Sequence, residues 1–319
     1  MLVSAIVVNR NGSRHLEICL PSLLQQSYRP LEIIVVDNAS TDGSANVVKS
    51  CGCRWLPFPR NIGLASALNE GAAAASGELL LFLNNDMRFD RAFVESMVAV
   101  LLQDPKVFSV DAIQYNWDGS KQVHMATRLA KKPEAEMSCA IVPELYMCQE
   151  HCDSPRPVLM SSAANMLTRK AMFKALGGFD ERLFFGCEDT ELCWRAWVRG
   201  WKSVLAPAAI CWHRVGGSSR SAEGERMGFR GVLGGRLLMA TKLMPVSYQI
   251  RTWLAYLGGL ARDLVHLRTQ NASDRIDVLR HHLQYITPLI RERRKIYGRA
   301  GMSAGEQLEC MLHLSNSTQ

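Results

Sequence analysis

Three strongly apolar segments within the first 90 residues each run straight into asparagine or aspartate. Val3–Val8 leads into Asn9-Arg10-Asn11-Gly12, Leu31–Val36 into Asp37-Asn38, and Leu79–Leu83 into Asn84-Asn85-Asp86. Between and after them, residues 14–26, 43–50, 62–75 and 91–102 space their apolar side chains helically. Short apolar runs bounded by turn formers read as buried strands. Their alternation with helices predicts an α/β fold, a mainly parallel sheet covered on both faces. Ligands of such sheets gather outside the carboxyl ends of the strands. Asp37 and Asp86 are therefore expected to face one crevice.

The pattern continues with a weak strand at Trp55–Phe58 and a strong one at Val107–Ala112. Residues 113–157 are irregular and read as an excursion over the sheet. Val158–Thr168 is expected to be one strand, followed by a helix to Leu176 and the turn Gly177-Gly178. Asp189–Arg199 reads as a helix, and Val204–Trp212 as a short strand broken at Pro207. After Gly216-Gly217-Ser218-Ser219 long helical patterns take over, punctuated near Pro245 and Pro288. The expected organisation is an α/β domain over 1–222 and a helical, basic region over 223–319.

Charge follows the same division. Residues 223–319 hold 14 Lys/Arg against 8 Asp/Glu, a net of +6, which leaves +1 of the total +7 for the rest. A basic segment attracts anionic surfaces, although a solvated face with no partner explains it equally. Leu233–Met244 and Trp253–Leu267 mix apolar residues with arginine, which suits either an interfacial helix or packing on the first domain. No nucleic-acid partner is expected. With 48% hydrophobic and 21% charged residues the chain buries a core, so disorder is excluded. No apolar run reaches the roughly 18 residues of a spanning helix. The opening MLVSAIVVNRNG reads as a strand and not as a signal peptide. Ten cysteines without export signals predict reduced thiols, with Cys187, Cys193 and Cys211 as packing residues. The expected setting is cytoplasmic, with the basic segment available to an anionic membrane surface.

Several residues could carry chemistry. Asp86 after LLLFLNN is placed to hold a hard cation, although taken alone a turn is the stronger reading of Asn84-Asn85-Asp86. Asp37 could accept hydrogen bonds from a base or ribose, while Asp42 is better read as a helix cap. Glu188-Asp189 opens a helix, where acids are favoured in any case. The functional alternative is a general base beside a reacting hydroxyl, kept dry by Phe184, Phe185 and Trp194. His213 precedes the Gly/Ser loop and could ligate metal or phosphate. Cys51 and Cys53 lack partners at zinc spacing. There is no Walker loop, no G-x-G-x-x-G after the first strand and no G-x-S-x-G.

Taken in order, IVVNRNG, VVDNASTDGS, RNIGLASALNEG, LLLFLNNDM, GGFDERLFFGCEDTELCWR and WHRVGGSS resemble the inverting nucleotide-sugar glycosyltransferases of family 2, in the rhamnosyltransferase-like branch. The resemblance covers residues 3 to 219. It implies a GT-A fold with a helical C-terminal appendage. It implies that Asn9, Asp37, Arg60, Asn61 and Asn85 serve the donor. Asp86, last in a D-x-D-type motif, and His213 would hold Mg2+ or Mn2+. Asp189 would be the catalytic base, with Glu188 beside it. Asn84 and Asn85 depart from the acidic form of the motif, leaving Asp86 its one carboxylate. The implied donor is a UDP-sugar or dTDP-sugar, and the acceptor a hydroxyl of a glycan or lipid-linked glycan in surface polysaccharide synthesis. Two other readings stand beside it. A sugar nucleotidyltransferase would need a basic, glycine-rich phosphate loop, which NRNGSRH matches poorly. A non-catalytic glycan- or nucleotide-binding module would not need Asp86, Asp189 and His213 together.

Overall fold

The computed structural model describes residues 1–132, 138–183, 186–214 and 222–313. In chain order the elements begin with β1 (Val3–Asn9), α1 (Ser13–Leu24), β2 (Leu31–Asn38), α2 (Ser44–Ser50), β3 (Arg54–Phe58) and α3 (Leu64–Ala74). There follow β4 (Leu79–Asn84), β5 (Met87–Phe89), α4 (Phe93–Leu102), β6 (Val107–Asn116) and β7 (Gln122–His124). Next come β8 (Ala126–Ala130), β9 (Ser138–Val142), β10 (Leu145–Glu150), β11 (Arg156–Val158) and β12 (Asn165–Arg169). The chain continues through α5 (Lys170–Leu176), α6 (Glu188–Val198) and β13 (Lys202–His213) to α7 (Ala222–Leu243), α8 (Val246–Val265), α9 (Thr269–Ala300) and α10 (Ala304–His313).

Two compact units result. The first comprises the described residues of Met1–Ala126, Glu150–Phe184 and Glu188–Ser221; the second those of Thr127–Gln149, Phe185–Cys187 and Ala222–Gln319. The first unit is built on a sheet of order β11-β13-β6-β12-β4-β1-β2-β3. From β3 through β4 every pairing is parallel. β12 is antiparallel to both β4 and β6, and β6 and β13 then run parallel again. Six strands thus share one direction, and Asn9, Asp37, Asn84 and His213 all fall at carboxyl ends.

Burial explains why these sequences make strands. Val3, Ala5 and Val7 of β1 pack with Leu81 and Leu83 of β4 and with Leu16, Leu20 and Leu23 of α1. Full burial of such a side chain contributes about 2 kcal/mol. On the other face, α3 approaches at Gly71. A Cβ there would lie 2.3 Å from Ile6 Cγ2 and 2.9 Å from Val36 Cγ2, so the helix seats only where the side chain is absent.

The second unit holds a small sheet of order β8-β10-β9 and the four C-terminal helices. Leu233 and Leu237 of α7, Tyr256 of α8 and Val278 of α9 form its core cluster.

Four local expectations are corrected. The expected strand Val158–Thr168 is two: β11 ends at Val158 and β12 starts at Asn165, because the buried segment between them turns its N–H groups onto carboxylates. β13 is not broken at Pro207. Its register to β6 shifts between Ala206 and Ile210, and this irregularity accommodates the missing N–H. The described residues of 113–157 are not irregular; they carry the end of β6 and β7 to β10, whose strands are short and mixed in polarity. Pro288 does not end a helix either, as it lies inside α9, where it is solvent-exposed.

Candidate active site

At the ends of β1, β2 and β4 the asparagines and Asp37 form one buried network. Asn9 Nδ2 lies 3.0 Å from Asp37 Oδ1, 3.1 Å from Ser40 Oγ and 2.9 Å from Ser44 Oγ. Asn85 Nδ2 donates to Asn9 Oδ1 at 2.6 Å, and the Ser40 N–H donates to Asp37 Oδ2 at 3.1 Å. Gly12 makes room for this pair, since a Cβ there would sit 2.1 Å from Asn85 Nδ2. Asp42 receives the N–H of Ser13 at 2.9 Å and of Ser44 at 3.0 Å, so one carboxylate caps the first turns of α1 and α2. Slight burial opposes it, but the Ser44 hydroxyl and these N–H groups hold the Asp42 carboxyl below its usual range.

Asn38 clamps the start of α3, accepting the Ile62 N–H at 2.8 Å and donating to the Gly63 carbonyl at 3.3 Å. Asn61 Oδ1 accepts the Gly63 N–H at 3.0 Å. Arg60 is exposed beside it and is not brought into the Asn9–Asp37 network.

Asp86 and His213, 127 residues apart in sequence, meet where β5 pairs with the end of β13. His213 Nε2 is 3.2 Å from Asp86 Oδ1, and Nδ1 is 3.0 Å from Gln114 Oε1, which fixes the ring. The next backbone N–H, of Arg214, donates to the Asp86 carbonyl at 2.9 Å. Arg88 stacks on Trp212 and Arg214 on Trp117, both 4.5 Å from the ring centroid. Among the described residues no group of three or more His, Cys, Asp or Glu side chains could hold a metal ion.

Asp189 lies in the first turn of α6 and is partly buried. Its Oδ2 accepts the Ala163 N–H at 3.2 Å, and its Oδ1 accepts the Thr190 N–H at 2.7 Å and the Thr190 hydroxyl at 3.2 Å. Loss of water raises its pKa above the usual carboxylate value, against these donors and the nearby His124. Glu188 is buried beside it and Trp194 is fully buried. Phe184, Phe185 and the 216–219 loop lie outside the described residues.

The sequence reading missed a second buried pair. His124 Nε2 lies 2.6 Å from Asp111 Oδ2, while Asp111 Oδ1 accepts the Ser162 N–H at 3.2 Å. Burial works against the imidazolium, but the charges of Asp111 and Asp189 outweigh it and raise the His124 pKa. Asp111 had a signal in the sequence, as a carboxylate inside the apolar strand VFSVDAI. His124 had none. Segment 162–165 joins the parts: Ser162 bonds Asp111, Ala163 bonds Asp189, and the Ala164 carbonyl accepts the Asn84 N–H at 3.1 Å. Gln114, the register partner of His124, holds His213. Asp86, His213, Asp111, His124 and Asp189 therefore belong to one connected region at the carboxyl edge.

A family model described as Glycosyl transferase family 2 matches residues 4–176. The chain belongs to glycosyltransferase family 2. An N-acetylglucosaminyl-diphospho-decaprenol L-rhamnosyltransferase of Mycobacterium tuberculosis is 27% identical over 234 residues, covering 66% of this chain and 76% of that one. A pre-mycofactocin glycosyltransferase of the same species is 30% identical over 224 residues, covering 66% of this chain and 42% of that one. These relatives agree with the rhamnosyltransferase-like branch. Among solved structures, a mannosyltransferase from Pyrobaculum calidifontis in complex with GDP-Man and Mn2+ superposes with a TM-score of 0.56 at 18% identity, over 98% of this chain and 84% of that one. S. aureus TarS 1–349 gives 0.55 at 17% identity, over 95% and 92%. The fold of this glycosyltransferase is GT-A.

Proposed function

We propose that this glycosyltransferase moves a sugar, with inversion, from a UDP- or dTDP-sugar to a hydroxyl of a glycan or lipid-linked glycan in surface polysaccharide biosynthesis. The meeting of Asp86 with His213 at the carboxyl edge of a GT-A sheet, connected to Asp189, carries this assignment. The relative that acts on a diphospho-decaprenol substrate favours a lipid-linked acceptor, and hence work at the inner face of a membrane.

The residues fit a divalent cation. Asp86 Oδ1 and His213 Nε2 are 3.2 Å apart, close to the ~3 Å expected of neighbouring ligands that each sit about 2.1 Å from one ion. Two protein ligands are too few for a hard cation, so the donor diphosphate would have to complete the set. Asp86 and His213 would hold Mg2+ or Mn2+ there, supplying charge neutralisation for the leaving diphosphate. The Pyrobaculum enzyme, solved with Mn2+, lends support.

This chain's own residues do the rest. Asp37 Oδ2, which accepts the Ser40 N–H, keeps its other lone pair for the nucleoside while the Asn9–Asn85 pair holds the carboxylate in place. Asp189 accepts the proton of the acceptor hydroxyl as its oxygen attacks the anomeric carbon. The bond from that carbon to the diphosphate oxygen breaks on the opposite side, so configuration inverts. Glu188 supports Asp189. Calorimetric titration of UDP and dTDP, with and without Mn2+, tests the cation. Asp86→Ala should abolish the metal-dependent gain in affinity and keep the melting transition; unchanged metal-dependent binding would overturn the assignment.

A further inference from the structure

The second unit contains two segments of mixed apolar and basic character, and the structure separates them. Leu237, Leu238 and Leu243 of α7 and the following Met244 are all buried, so the segment Leu233–Met244 is core and available to no partner. α8 differs. Its inner face, Thr252, Tyr256, Gly259 and Asp263, is buried. Tyr256 belongs to the core cluster, and Asp263 Oδ2 accepts from Arg275 Nε of α9 at 2.7 Å. A Cβ at Gly259 would lie 2.8 Å from the Arg275 guanidinium, so the two helices are in close contact there.

The opposite face is apolar and open. Val246, Ile250, Leu254, Leu257, Leu264 and Val265 are between 48% and 77% exposed. At 3.6 residues per turn they fall within an arc of ~100°. Leu267, just past the helix, extends the strip at 82% exposure. Scattered single exposed leucines need no explanation, but an aligned strip along a 20-residue helix marks an interaction site.

Charge identifies the occupant. The one acid of α8 is Asp263, which faces inward, so its outer face shows no carboxylate. Arg251 and Arg262 border the strip and exposed Arg268 follows it; Arg251 pairs with Glu144 and Arg268 Nη1 lies 3.9 Å from Asp263, so three guanidinium groups rim the strip against one exposed carboxylate. A second copy docking through the same face would set this basic rim against itself. A bilayer with anionic headgroups takes up both the apolar strip and the rim. No helix among the described residues is long and apolar enough to cross a membrane, so the contact is interfacial. We propose that the outer face of α8 is a docking surface for an anionic lipid bilayer, lying in the headgroup region parallel to the membrane.

The test needs neither donor nor acceptor, so its failure leaves the proposed transfer reaction untouched. Full-length protein is sedimented with vesicles of phosphatidylcholine alone, or containing roughly a third phosphatidylglycerol, at low and high salt. Binding should favour the anionic vesicles by roughly tenfold or more and weaken as salt rises. The triple variant Leu254→Ser, Leu257→Ser, Leu264→Ser should bind roughly tenfold less or weaker still, with an unchanged melting temperature. If the triple variant loses its melting transition, Leu254→Ser alone is used, with a smaller loss expected. Equal binding to neutral vesicles, or undiminished binding of a folded variant, overturns the proposal. So does a wild-type dimer, seen by light scattering, that the substitutions dissociate while vesicle binding is absent, because the face would then be a self-association surface.

Discussion

Asp189 combines a raised pKa with three hydrogen-bond donors, so the fold orients the carboxylate while making its charge costly. A carboxylate with a raised pKa is a stronger base near neutral pH, which suits proton abstraction. Asp189→Asn should lower kcat by roughly a hundredfold or more with little change in donor affinity. Glu188→Gln should be milder. Steady-state kinetics and donor titration on both variants check this, and the reverse order of effects would move the base to Glu188. Stability should behave differently from activity. A folded-state pKa raised above the unfolded value favours the neutral carboxyl, so above that value ionised Asp189 costs stability. The neutral Asn variant lacks that charge but sets its Nδ2 against the N–H of Ala163 or Thr190, so its melting temperature should fall less than that of wild type as pH rises through the carboxylate range. His124 has the same sign of linkage, since its pKa is also raised, but here the form favoured by folding is the charged one. Its raised pKa means that the Asp111 pairing contributes stability fully below about pH 6.5 and loses it as pH rises through the folded value. His124→Gln should lower the melting temperature most near pH 6, and the gap to wild type should narrow toward pH 9. The same change removes a positive charge beside Asp189, so the acid limb of its kcat/KM profile should move to higher pH. An unshifted limb would leave His124 a structural role only.

At the level of elements, contacts made by backbone or by absent side chains decide the geometry. Gly12 and Gly71 are needed for space: one admits the Asn9–Asn85 pair, the other lets α3 reach β1 and β2. Gly71→Val should cost about 1–3 kcal/mol in chemical denaturation, because the surrounding core is close-packed and cannot yield. Asp42 links two helix starts whose own N-cap residues, Gly12 and Gly43, offer no capping side chain. Asp42→Ala should cost about 1–2 kcal/mol in the same measurement, and should matter only above the range where Asp42 protonates. The irregularity around Pro207 in β13 shows how a proline expected to end a strand is accommodated without losing the residues beyond it. Those residues include His213, so continuity of β13 is what brings the imidazole to Asp86.

For the whole molecule, division into units does not follow the linear sequence. The strands β9 and β10 belong with α7 to α10 in the second unit, although both arise between segments of the first. Removing everything after residue 221 should therefore leave the β8-β10-β9 sheet without the helices of its own unit. A chain of residues 1–221 should melt at lower temperature than the full chain and aggregate on purification. By itself the sequence determined the parallel half of the sheet, the carboxyl-end positions of Asn9, Asp37 and Asp86, and the ordered motifs of the family. Those features are local: apolar runs define strands, and the residues ending a strand fall at its end whatever else the chain does. Only the tertiary structure decided that Asp86 meets His213, that Asp111 and His124 stand behind Asp189, and that α8 is open while the Leu233–Met244 segment is buried. Pairing across 127 residues depends on strand order and register, and the exposure of a helix face depends on what packs against it. Neither is written in the spacing of a single segment.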